Sequence, residues 1–129
     1  MMALIFLAAA AAGAGSNCHD RQTQTDINIC FAEDYKAADA QLNRQWALTS
    51  AEMKAMDKDG LNKDGRPGYY ETLLKAQRAW LGFRDAQCQI EGYAMRGGSG
   101  ESMLAGACLA GLTRARTAQL KALMANEGL

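Results

Sequence analysis

The most reactive side chains in this 129-residue sequence are four cysteines, Cys18, Cys30, Cys88 and Cys108, and a single histidine, His19. No two cysteines have CxxC spacing, and the histidine directly abuts Cys18, so the ligand spacing of a zinc site is missing. Adjacent side chains rarely face one another, so Cys18-His19-Asp20 is a poor nucleophile and base. Nothing else brings a nucleophile, a base and an oxyanion site together. No metal, no cofactor and no catalytic residues are expected, and the sequence reads as a protein that binds and is not an enzyme.

An even cysteine set in a short exported chain points instead to two disulfides. Cys18 with Cys30 and Cys88 with Cys108 is the preferred pairing, because each joins segments close in sequence. Each would close a short loop and contribute on the order of 3 kcal/mol through loop-closure entropy. A Cys30 to Cys88 bridge, from the start of one helix to the end of an antiparallel neighbour, remains open. The disulfides are expected to hold both ends of the structure.

Export is read from the N-terminus. Residues 1 to 16 carry no charge and include an apolar block of roughly a dozen residues, short of the about 20 that span a bilayer. The small-x-small triplet Ala12-Gly13-Ala14 follows, as at a signal-peptidase site. Residues 1–14 are therefore expected to be a signal peptide and 15–129 a single domain, periplasmic or secreted, with no membrane span.

The elements that must position these residues are helices. Ile27, Phe31, Tyr35, Ala38, Leu42, Trp46, Thr49, Met53 and Met56 recur at steps of three and four, predicting a helix from about 25 to 57 that Thr23 or Thr25 can cap. The stretch DKDGLNKDGRPG, residues 57–68, with three glycines and the chain's only proline, predicts a turn. A second helix starts after Gly68, with Tyr69, Leu73, Ala76, Trp80 and Phe83 on its apolar stripe, and fades near Met95. Beyond Gly97-Gly98-Ser99-Gly100, Ser99 or Ser102 can cap a third, whose inward face includes Cys108, Leu109, Leu112, Leu120 and Leu123. With no long period-two segment, the fold class is all-α: an antiparallel bundle of three main helices with two disulfides. Trp46, Trp80 and Phe83 supply bulk to its core.

Charge narrows the partners. Fourteen basic residues balance fourteen acidic ones, and 49% of residues are apolar. This excludes the disordered and polybasic nucleic-acid-binding classes. Residues 17–43 nevertheless balance at minus three, with Asp20, Asp26, Glu33, Asp34 and Asp39 against Arg21 and Lys36. A cationic partner would therefore be met at Asp20, Asp26, Glu33 and Asp34. The turn Arg96, Gly97, Gly98 and Ser99 is a second candidate, because glycine-rich backbone ahead of a helix can cradle an anion. In the linker, Asn62, Asp64, Gly65 and Glu71 fit part of a calcium loop, but its first ligand position is Gly60, so a solvated turn is expected. Gln77, Arg84 and Asp85 lie on or beside an apolar stripe and need partners. Asp34 or Asp39 is the expected partner of Arg84, while Arg114 and Arg116 read as solvated.

The segments TQTDINIC (23–30), AADAQLN (37–43), KAQRAWLGFRDAQC (75–88), MRGGSGESM (95–103) and CLAGLTRARTAQL (108–120) resemble the lysozyme inhibitor LprI family of small exported bacterial proteins with four cysteines. AQRAW-x-x-FRD-x-x-C is the most specific piece. The resemblance implies an all-helical exported domain and, by the family's name, a lysozyme as partner. The competing function is an envelope-associated binding or stress module that does not inhibit lysozyme.

Overall fold

A computed structural model describes residues 15–60 and 63–126. The expected signal peptide, residues 1–14, and Asn62 of the linker lie outside the described residues. Three long helices carry the fold: α1 (Gln24–Asp59), α2 (Tyr69–Gly92) and α3 (Glu101–Asn126). A 3-10 turn (Gly15–Asp20) precedes α1, and another (Tyr93–Met95) follows α2. No strand occurs among the described residues.

Local chemistry sets the helix ends. Thr23 caps α1, its Oγ1 accepting from the Asp26 N–H at 3.1 Å. The helix stops at Gly60, whose left-handed φ of 61° lets its N–H bond back to the Asp57 carbonyl. The stop lies two residues past the expected one, because Gly60 is the first residue that readily takes the left-handed turn. Gly68 has no side chain to cap α2, and Asp57 reaches over from the last turn of α1 to do so. Its carboxylate accepts from the N–H groups of Tyr69 at 2.7 Å and Tyr70 at 3.0 Å. A Cβ on Gly68 would lie 2.7 Å from that carboxylate, so the cap requires glycine there. Replacing Asp57 with alanine should cost about 1 kcal/mol. Thermal unfolding followed by circular dichroism checks this, and an unchanged Tm would show that water caps α2 equally well.

At the other turn α3 starts at Glu101, so Gly100, not Ser99 or Ser102, occupies the position before the helix; its carbonyl accepts from Leu104.

The pairing between helices fixes their directions. Partners on α1 and α3 rise together, as Gln24 meets Met103, Asp34 meets Arg114 and Gln45 meets Met124. Partners on α2 and α3 run oppositely, as Gln77 meets Arg116, Arg84 meets Thr113 and Cys88 meets Cys108. The result is an up-down-up bundle in which chain neighbours are antiparallel and α1 lies parallel to α3, its most extensive partner. Close approach there depends on Gly106, where a Cβ would sit 3.2 Å from the Cβ of Phe31.

The interior has two apolar clusters. One joins Leu42, Met53, Leu73 and Leu120 with Trp46 and Trp80 against them. The other joins Cys18, Cys30 and Phe31 with Ile27, Met103 and Ala107 against them. Between them, by register, lies a polar layer built from Asp34, Arg84, Thr113 and Arg114.

Three expectations are corrected here. Phe83 is 56% exposed, and the inward line of α2 runs instead through Leu73, Gln77, Arg84 and Cys88. On α3 the buried positions are Ala110, Thr113 and Leu120, and Leu123 is 40% exposed. The disulfides Cys18–Cys30 and Cys88–Cys108 form as preferred, but both lie at one end, where α1 and α3 begin and α2 ends. The opposite end is held by the larger apolar cluster and the Asp57 cap.

Candidate binding surfaces

The disulfide end contains both surfaces that the sequence marks out. The first 3-10 turn is clipped to α1 by Cys18–Cys30, and His19 packs edge-on against Phe31 with ring centres 5.1 Å apart. That turn presents Asp20 to solvent. Further on, Asp26, Ile29 and Glu33 are exposed at spacings of three and four along α1, which places them on one side of the helix. Ile29 is 51% exposed and sits between the two carboxylates. The face therefore presents an exposed isoleucine bracketed by acids on a helix.

Asp34 does not belong to that face. It is buried and forms an ion pair with Arg114 of α3. A position one residue after Glu33 is rotated by about 100° and turns inward. Arg114, expected to be solvated, is instead partly buried as its counterion. Arg116 is likewise partly buried, its Nε donating to Gln77 Oε1 at 2.8 Å.

The glycine turn is a neighbour of the acidic helix start. Asn28 Nδ2 donates to the Ser99 carbonyl at 2.8 Å, tying α1 to the turn. Asn28 lies on the side of α1 opposite Asp26 and Glu33, so the two surfaces share one end of the bundle without forming one face. The anion cradle is filled from within. Gly97, at φ 79°, donates its N–H to the Glu101 carboxylate at 3.0 Å, and the Gly98 N–H goes to the Met95 carbonyl. Arg96 stacks its guanidinium over the Tyr93 ring, 4.3 Å from its centre. An incoming anion would have to displace Glu101, which weakens the case for the turn as an anion site and leaves Arg96 and Ser99 as exposed side chains beside it.

Arg84 is buried and acts as a hub. Its Nε donates to Asp85 Oδ1 at 3.0 Å, one terminal nitrogen to Thr113 Oγ1 at 3.3 Å, and Asp39 lies 4.0 Å away. The guanidinium also rests over the Tyr35 and Trp80 rings. Of the two expected partners, Asp39 is the one that approaches it, and Asp34 is taken by Arg114. These bonds satisfy groups that could not otherwise be buried, and they join the three helices.

In the linker, Arg66 binds Asp64 through Nε at 2.7 Å and through its backbone N–H at 3.0 Å. The Arg66 side chain, and after it the Arg66 backbone N–H, hold the Asp64 carboxyl below the usual carboxylate range. Among the described residues, all cysteines are in disulfides, and no three His, Cys, Asp or Glu side chains gather as metal ligands.

Two disulfides at one end of a small three-helix bundle make this a disulfide-stapled all-helical protein. The chain belongs to the lysozyme inhibitor LprI family, whose profile matches residues 16–120. It is 51% identical over 109 residues to the uncharacterized protein R02472 of Rhizobium meliloti (strain 1021), covering 84% of this chain and 78% of that protein. It is also 33% identical over 69 residues to the uncharacterized protein YecT of Escherichia coli (strain K12), covering 51% of this chain and 42% of that one. No solved structure matches the chain.

Proposed function

We propose that this protein is an exported bacterial inhibitor that acts by binding a lysozyme, without catalysis, in the periplasm or outside the cell. Family membership over residues 16–120 is the observation that carries this reading. The disulfides agree with an oxidising compartment. The binding face proposed is Asp20, Asp26, Ile29 and Glu33, where carboxylates would meet a cationic enzyme and Ile29 would supply a desolvated contact.

The first test is lysis of cell-wall substrate by lysozymes of several classes, with and without the purified protein. Inhibition of at least one class is expected. For a class that is inhibited, the Asp26→Lys/Glu33→Lys variant should associate about tenfold more slowly at low salt and lose most of its salt dependence. Unchanged association by the folded variant would remove this face from the interface. Absence of inhibition with every class would favour the envelope-associated module.

A further inference from the structure

At the end of the bundle remote from the disulfides, the last turns of α1, linker residues 63–68, the start of α2 and the end of α3 surround an open cleft of about 970 Å³. Its apolar lining includes Met53, Met56, Leu73, Ala76 and Leu123. Its charged groups are Asp57, Asp64, Lys63, Arg66 and Arg116. Both carboxylates are already engaged, Asp57 by the N–H groups of α2 and Asp64 by Arg66. Lys63 and Arg116 have no carboxylate partner among the described residues.

Arg116 is the informative group. A guanidinium has five N–H donors. Here one goes to Gln77 Oε1 and one to Gln119 Oε1 at 3.0 Å, both neutral amide oxygens, and the remainder have no partner among the described residues. Burial pushes the Arg116 pKa down from its ordinary value, and no described residue supplies an anion beside it. The other two arginines drawn into the bundle, Arg84 and Arg114, both have carboxylates.

We propose that this cleft binds a single-tailed amphiphile with one carboxylate, of the long-chain fatty acid class, with its headgroup on Arg116 and its tail along the methionine-lined wall. The planar fork of Arg116 matches a carboxylate, and Lys63 adds positive charge at the rim. The thioethers of Met53 and Met56 conform to a flexible chain. The volume lies within the range of small-molecule sites, about 300 to 1,000 Å³. This site is independent of the acidic face on α1, and neither reading depends on the other.

The test is calorimetric titration of the full mature protein with dodecanoate, dodecanol and dodecyltrimethylammonium, each below its micelle concentration. Tryptophan emission is followed in parallel, because Trp80 lies beside Arg116 with its ring centre 5.9 Å from the guanidinium carbon. Dodecanoate is expected to bind saturably and at least tenfold more tightly than dodecanol, and the cationic amphiphile not at all. Arg116→Gln should abolish the preference for dodecanoate over dodecanol. Leu123→Glu, at a position 40% exposed and outside the buried core, should preserve the fold and weaken dodecanoate at least tenfold. No saturable dodecanoate binding, equal affinity for the alcohol or the cation, or unaltered binding by folded Leu123→Glu would each overturn the proposal.

Discussion

Replacing Arg114 with leucine should destabilise the protein by about 3 to 5 kcal/mol, because the substitution leaves a buried carboxylate without its counterion. Asp34 is only 5% exposed, and Arg114 is the partner that meets it from α3. The loss would be a large share of the 5 to 15 kcal/mol typical of a small domain. The pair itself need not be strongly stabilising, since desolvating two ions offsets much of their attraction. The double variant Asp34→Leu/Arg114→Leu should therefore regain most of what the single variant loses. Urea unfolding of the wild type and both variants measures the difference. A single variant within about 1 kcal/mol of wild type would show that water reaches Asp34 and that the polar layer is not sealed.

That layer also marks the limit of what the sequence discloses. On α1 the apolar residues recur without competition, so the helix and its inward face are legible from Ile27 to Met56. On α2 two lines compete. Ala76 and Phe83 are apolar and regular, whereas the buried line passes through Gln77 and Arg84. Periodicity selects the apolar line. Arg84 can be buried only because Asp39, Thr113, Tyr35 and Trp80 converge on it, three of them from other helices, and no local pattern reports that convergence. On α3, small residues are buried because α1 comes close at Gly106, so the largest apolar side chains do not trace the inward face.

The candidate surfaces were partly legible for the same reason. Charge counting finds the acidic start of α1 but treats Glu33 and Asp34 alike, and the turn of the helix sends one outward and the other to Arg114. The glycine turn is found from composition. Its filling by Glu101 depends on a carboxylate four residues ahead folding back onto Gly97, which the sequence permits without requiring. The cleft at the other end leaves no signal in the sequence, because Arg116 reads as one more charge on a helix, and its partners among the described residues, Gln77 and Gln119 instead of an acid, emerge only from the fold.

Reducing both disulfides should have the largest effect on the fold, and it should begin at one end. The bridges close sequence separations of 12 and 20 residues, so each constrains the unfolded chain by about 3 kcal/mol. Their combined loss, about 6 kcal/mol, rivals the whole stability of a small domain. Both lie where α1 and α3 begin and α2 ends. There the apolar cluster consists largely of the Cys18–Cys30 bridge and Phe31, with no large aliphatic side chain fully buried. The opposite end keeps Leu42, Met53, Leu73 and Leu120, with Trp46 and Trp80 against them, whether or not the cysteines are oxidised. On adding reductant, amide hydrogen exchange should therefore rise first in Ile27–Phe31 and around the 97–100 turn, while Leu42–Met53 stays protected until global unfolding. The Cys88→Ala/Cys108→Ala variant should lose about 10 °C or more in Tm, since its bridge joins two long helices. In the Cys18→Ala/Cys30→Ala variant, the first 3-10 turn should detach and His19 should leave Phe31. Uniform loss of protection along α1, or a reduced protein as stable as the oxidised one, would contradict this division of the bundle into a disulfide-held end and a core-held end.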